Sequence, residues 1–350
     1  MRVVSVVGAR PQFVKLAPVA EAFEQAGIDH LIVHTGQHYD ERMSQSFFDE
    51  LTIPNPDVNL EVGSAAHGAQ TGRMMESLEE VLLQEQHDWV LTYGDTNSTL
   101  AAAVVAVKLH QPLAHLEAGL RSFNRAMPEE HNRVMTDHAS DLLLAPTETA
   151  MVNLDREGLG GRSQLVGDVM ADVCLRVART ATVQLPEGVD PLEPYIVATI
   201  HRAENTDDPG RLEAIISGLQ TQPVPVVLAV HPRLADKARS QGLHLEKGAI
   251  VPTDPLSYPE MVAAVSGAVS VVTDSGGLQK EAYLLGTPCT TLRTETEWVE
   301  LLDTGWNHLD SDIARPGTWL SEPPDSASSR NLYGDGHAAA RVAERLAELA

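Results

Sequence analysis

Residues 115–133, HLEAGLRSFNRAMPEEHNR, crowd Glu117, Glu129 and Glu130 together with Arg121, Arg125 and Arg133 in one loop just after an apolar, strand-like run. Acids and cations at that density suit proton transfer beside an anion, because the carboxylates can move protons while the cations hold negative charge. A second polar loop, YGDTNST at residues 93–99, brings Asp95 to the end of the apolar run WVLTY. Acid–base work needs one carboxyl charged and another protonated near neutral pH, which burial or mutual repulsion arranges. Asp95, Glu117 and Glu129 are the candidates. A salt bridge to a neighbouring arginine describes Glu130 better.

Two glycine-bearing turns add anion cradles. GARPQFVK, residues 8–15, places Gly8 at a tight turn and Pro11 in a first helical turn, with Arg10 and Lys15 flanking a helix start whose free N–H groups attract an anion. It lacks GxGxxG, so no dinucleotide-redox fingerprint is present. DSGGLQKE, residues 274–281, offers the Ser275 hydroxyl and the backbone of Gly276 and Gly277 to phosphate oxygens, with Glu281 further along as an acceptor for ribose hydroxyls. Each turn alone is an ordinary helix start. Two of them in different domains fit a nucleoside diphosphate carrying a further group. TIHRAEN and AVHPR put His201, Arg202 and His231 just after apolar strands, which favours anion contact, most of all for His201. No HxH or HExxH spacing occurs, and neither a metal nor another cofactor is expected.

The elements that position these loops alternate. VVSVVG reads as a buried parallel strand, followed by a helix and the strand HLIVHTG, which makes a βαβ start. A helix at residues 74–86 and strands at 89–93, 113–116 and 141–145 continue the pattern. The turn-rich residues 181–194 read as a linker, after which the alternation restarts at YIVATIHR. The expected organisation is α/β, with two Rossmann-like doubly wound domains, residues 1–180 and 181–336, facing a central cleft. A final helix, residues 337–350, would cross back to the first domain. Residues 312–330, rich in Pro and Ser, read as a loop.

Composition narrows the class. The 350 residues are 43% hydrophobic, enough for a large core, and the formal charge of -24 argues against nucleic acid or an anionic membrane as partner. Cys174 and Cys289 lie far apart without a CxxC pattern, so no disulfide framework or zinc site is indicated. No apolar stretch of signal-peptide length precedes Gly8, and none approaches the roughly 20 residues of a membrane span, which predicts a soluble, unprocessed, cytoplasmic protein.

GARPQFVKLAPV, TGQHYD, YGDTNSTL, HLEAGLRSFNRAMPEEHNR, APTE, DSGGLQKEAYLLGTP, TEWVE and NLYGDG, taken together and in this order, resemble the non-hydrolysing UDP-N-acetylglucosamine 2-epimerases from residue 3 to about residue 336. The resemblance implies a glycosyltransferase-B-like fold, a cytoplasmic homodimer and interconversion of UDP-N-acetylglucosamine with UDP-N-acetylmannosamine through 2-acetamidoglucal. It makes Asp95, Glu117 and Glu129 the acid–base residues and Arg10, Lys15 and His201 the diphosphate contacts, with Ser275, Gly276, Gly277 and Glu281 holding the rest of UDP. Gln37, His38 and Arg73 match a region where bacterial members bind an activating second UDP-sugar. The chain departs from the pattern at Ile200, at Leu332 and in a shortened stretch before residue 331. Relatives acting on a diacetamido-uronic acid or deoxysugar donor share GARPQF and GQHYD, and UDP-dependent glycosyltransferases share the fold. The extra carboxylates favour epimerisation over transfer.

Overall fold

The apolar runs become parallel strands with side chains buried on both faces. The computed structural model describes residues 1–37, 53–296, 298–311, 313, 319–320, 323–324 and 331–350. It divides into two compact units, Met1–Val173 with Asn331–Ala350, and Cys174–Arg330.

In the first unit, β1 (Arg2–Val7), β2 (Asp29–His34), β3 (Val58–Asn59), β4 (Trp89–Tyr93), β5 (Leu113–Leu116), β6 (Leu142–Ala145) and β7 (Ser163–Leu165) form one sheet in the order β3-β2-β1-β4-β5-β6-β7. Every pairing is parallel. The crossovers are α1 (Arg10–Ala26), α2 (His67–Gln84), α3 (Asn97–Lys108), α4 (Pro128–Ala139) and α5 (Glu148–Arg156). Val4, Val6, Leu31, Val33 and Val90 pack with Met74 and Leu78 of α2 and the alanines of α3. The chain reverses direction across the sheet between β1 and β4, so the turns after these strands open side by side.

The second unit repeats the plan. β8 (Ile196–Thr199), β9 (Val226–Ala229), β10 (Ile250–Thr253), β11 (Ser270–Thr273), β12 (Cys289–Thr291) and β13 (Asn307–Leu309) run parallel in the order β10-β9-β8-β11-β12-β13, again with a reversal between the first and fourth strands. Its shorter helices are α7 (Ala203–Thr206), α9 (Pro232–Ser240) and α12 (Val299–Asp303). Ile196 and Ala198 pack with Leu212 and Ile215 of α8 (Pro209–Gln220). Tyr195 and Val197, on the opposite face, pack with Ala264 of α10 (Tyr258–Gly267) and Leu278 of α11 (Gly276–Leu285). Alternate residues of one strand thus enter two separate cores, as a doubly covered sheet requires.

Several boundaries differ from those read off the sequence. The acid-rich residues 115–133 are not one loop, because α4 begins at Pro128. Pro128 sits in the first turn with Glu129 and Glu130, where a missing N–H costs nothing and carboxylates face the positive end of the helix. The helix expected at residues 74–86 starts at His67, its first turns hidden by Gly68 and Gly72. Residues 181–194 hold no helix or strand, yet the units divide earlier, inside α6 (Val169–Thr180). Residues 331–336 belong to the first unit, where fully buried Tyr333 accepts the N–H of Asp168 through its carbonyl. The last helix, α13 (Ala338–Leu349), packs on α1, and the Asp172 carboxylate accepts its first two N–H groups, from Ala338 and Ala339. Most of residues 312–330 lies outside the described residues.

Candidate active site

At the carboxyl end of β1, the side chain of Gln12 ties the turn together. Its Oε1 accepts the N–H groups of Gly8 and Ala9 at 2.8 and 3.0 Å, while Nε2 donates to the Tyr93 carbonyl at 2.7 Å and to Thr99 Oγ1 at 3.0 Å. The β1–α1 turn is thereby fastened to the β4–α3 turn that carries Asp95. Gly8 is required there, since a Cβ would lie 2.1 Å from both Ser98 Oγ and Thr35 Oγ1. Nothing in the local sequence marks Gln12, a polar residue of the type usually found on a surface, yet it is 1% exposed.

Lys15, two turns into α1, reaches the strand ends and pairs with Glu117, their side chains 12% and 14% exposed. Burial alone would lower the Lys15 ammonium. The charge and hydrogen bond of Glu117, with Asp95 and Asp168 adding, hold it above its ordinary value. Glu117 follows β5 directly and takes a left-handed conformation, φ 74°. Gly94, also left-handed, lets the neighbouring turn pass close, for a Cβ there would lie 3.1 Å from Glu117 Oε2 and 3.3 Å from Lys15 Nζ.

Asp95 pairs with Arg133 of α4, and Arg133 Nη1 also meets Glu130 Oε2 at 2.8 Å. Asn132 of the same helix donates to the Asp95 carbonyl at 2.9 Å. Glu130 is buried and accepts from Ser122 N, Ser122 Oγ and Phe123 N, each at 2.9 Å. Burial works against its charge, but these donors and Arg133 outweigh it and hold the carboxyl below its ordinary value. Glu130 is therefore the brace of the loop, consistent with its salt-bridge assignment, whereas Glu129 stands exposed one residue earlier. The arrangement presents two carboxylates, Asp95 and Glu117, at the ends of adjacent strands, each against its own cation.

In the second unit the strand-end residues gather on Asp274, which is fully buried after β11. Its carboxylate accepts from His201 N, Arg202 N and Asn205 Nδ2 at 2.9–3.1 Å, and His201 Nδ1 lies 3.2 Å away. Burial lowers the His201 imidazole, Asp274 opposes this, and His231 and Arg202 add to it. The His201 and His231 rings stand 5.6 Å apart. Ser275 caps α11 by accepting from Leu278 N, which leaves Gly276 and Gly277 at an open helix start, where a Cβ placed on Gly277 would meet, among the described residues, no atom within 4 Å beyond its chain neighbours and its own helix. Such a start binds anions through its N–H groups and its dipole. Glu281 lies farther along the same helix. Asp274 was legible only as part of a motif; an acid closing an apolar strand was the signal for its role.

The remaining expected residues fall as follows. Arg10 opens α1. Gln37 Oε1 accepts from Ser98 N at 3.1 Å and Ser98 Oγ at 2.7 Å, which anchors it to the start of α3. Arg73 is exposed on α2, and His38 lies outside the described residues. No cluster of three or more metal-ligating side chains occurs among the described residues, and no helix among them is long and apolar enough to cross a membrane.

Residues 21–347 match the family model for UDP-N-acetylglucosamine 2-epimerase. The chain is 47% identical to the UDP-2,3-diacetamido-2,3-dideoxy-D-glucuronate 2-epimerase of Pseudomonas aeruginosa, with 100% of both chains covered. It is 42% identical to the UDP-N-acetylglucosamine 2-epimerase of Methanocaldococcus jannaschii over 89% of each. The crystal structure of the UDP-GlcNAc 2-epimerase from that organism in complex with UDP-GlcNAc and UDP superposes with a TM-score of 0.79 at 38% identity, covering 99% of this chain and 100% of the other. The two doubly wound parallel sheets are those of a glycosyltransferase-B-like α/β protein. The chain belongs to the UDP-N-acetylglucosamine 2-epimerase family.

Proposed function

We propose that the protein is a cofactor-independent, non-hydrolysing 2-epimerase that interconverts UDP-N-acetylglucosamine and UDP-N-acetylmannosamine, acting as a cytoplasmic homodimer. The observation that carries this reading is the pair of carboxylates, Asp95 and Glu117, each held against a cation at neighbouring strand ends. The proton on carbon 2 of the sugar has no adjacent carbonyl, so its removal alone would leave an inaccessible carbanion. Breaking the bond from carbon 1 to UDP as the proton departs gives 2-acetamidoglucal instead. One carboxylate takes the proton, and positive charge from Arg10, Lys15 and His201, with the helix start at Ser275, Gly276 and Gly277, supports the departing diphosphate. Re-addition of UDP at carbon 1, with a proton delivered to the other face of carbon 2, completes the inversion. Glu281 would hold the ribose, and exposed Glu129 is a third acid–base candidate.

A second reading concerns the sugar. The 47% identical relative is named for a UDP-diacetamido-uronate, which favours that substrate class for the same chemistry. Incubating the protein in deuterium oxide with each UDP-sugar separately, followed by proton NMR, tests both. Deuterium at carbon 2 of a UDP-N-acetylmannosamine product supports the first reading, exchange only into the diacetamido-uronate supports the second, and exchange into neither overturns epimerisation. Free N-acetylmannosamine as product would instead mark a hydrolysing enzyme. Asp95→Asn and Glu117→Gln are each expected to abolish turnover while UDP binding survives; a variant that still turns over removes its residue from the acid–base set.

A further inference from the structure

Beneath Asp95 and Glu117 lies a buried cluster that the acid–base assignment does not use. His115, the third residue of β5, is fully buried and points Nε2 at the carbonyl oxygen of Gly94, 2.7 Å away, and Nδ1 at Asp137 Oδ1, 2.6 Å away. The Gly94 carbonyl can only accept, so Nε2 carries a hydrogen and donates to it. Asp137, also fully buried on α4, places its other oxygen 3.0 Å from the Gly119 N–H and 2.7 Å from Arg121 Nη1. Arg121 in turn holds Glu157 at 2.8 and 2.9 Å. Arg121 thus stands between the carboxylates of Asp137 and Glu157, so its charge in the cluster is paired.

The positions in the chain give the cluster its meaning. Gly94 immediately precedes Asp95, His115 lies two residues before Glu117, and Gly119 two residues after it. Asp137 therefore grips the chain on both sides of Glu117, the residue with φ 74°. Side-chain-bearing residues hold that conformation only where their surroundings over-determine it. We propose that His115 and Asp137 are positioning residues, a clamp that fixes the Asp95 turn against the Glu117 turn and so sets the geometry of proton transfer. The catalytic part of this inference rests on the epimerase reading; the mechanical part does not.

Amide hydrogen exchange of the ligand-free protein reads the clamp without any substrate. In His115→Leu, exchange over residues 117–123 is expected to quicken by about tenfold or more while residues 97–108 keep the wild-type rate. Where wild type turns over, kcat of this variant is expected to fall by about 100-fold, with UDP affinity within roughly threefold. His115→Gln, which keeps a donor near the place of Nε2, is expected to recover about tenfold of that loss, a rescue that simple space-filling does not give. Asp137→Asn, nearly isosteric, is expected to move both readouts in the same direction and decides the matter if His115→Leu does not fold. Unchanged loop exchange, wild-type kcat, or a Gln variant no better than Leu overturns the clamp. A wild type that turns over no UDP-2-acetamido sugar overturns the epimerase reading instead, and the exchange rates still decide the clamp.

Discussion

Lys15 and Glu130 show opposite uses of a buried charge. Lys15 is held charged by the acid it faces, as its proposed role as a diphosphate contact requires. Lys15→Met is expected to lower kcat/KM by about 100-fold or more, with Lys15→Arg recovering part of the loss, as steady-state kinetics would show. Glu130 instead stabilises the fold. Its folded-state value lies below the ordinary 4.5, so the stability it contributes is fully present above pH 4.5 and disappears as pH falls through the lower, folded value. Urea midpoints are therefore expected to fall on acidification below pH 4.5, and Glu130→Gln is expected to flatten that slope. Asp137, held below its ordinary value by His115 and Arg121 against the effect of burial, acts in the same direction. Lys15 and Glu130 could be named from their neighbours in sequence, but their roles depended on which opposite charge each one met. Glu129 and Glu130 are adjacent and chemically alike, and only the direction of α4 exposes one and buries the other.

At the scale of elements, the strand-to-helix turns do the positioning, and their tolerance is small. Gly8→Ala would drive a Cβ into the hydrogen-bonded hydroxyls of Thr35 and Ser98. It is expected to destabilise the protein by about 1–3 kcal/mol, measurable by chemical denaturation, and to impair turnover by shifting the turn that carries Arg10. Long apolar runs announced the strands because period-two burial on two faces leaves little room for polar residues. α4 is hard to read from the sequence for the opposite reason. Its buried face is built from Glu130, Asn132, Thr136 and Asp137, so it presents a polar rather than an apolar stripe and the fold satisfies its polar groups through specific partners. The early turns of α2 were hidden in a similar way, since buried Gln70 bonds Gly63 and Asn97 instead of filling an apolar core.

At the scale of the whole molecule, the chain closes its first unit with its last helix. Val342 and Leu346 of α13 are fully buried, and Asp172 caps the helix start. Truncation after residue 336 would expose both side chains, a loss of about 3–6 kcal/mol at ordinary burial values, and is expected to lower the thermal midpoint by roughly 10 °C or more in a melting experiment. The sequence by itself determined the α/β class, the repeated strand and helix order, the glycine turns and the acid–base candidates, because each depends on residue type at short separation. Only the tertiary structure decided that Lys15 meets Glu117, that Arg133 meets Asp95, that Asp274 organises the His201 turn, and that His115 joins two loops through Asp137. Those partners lie from 21 to 102 residues apart. Parallel sheets bring the ends of distant strands side by side, and no local pattern in the chain records which side chains then face one another.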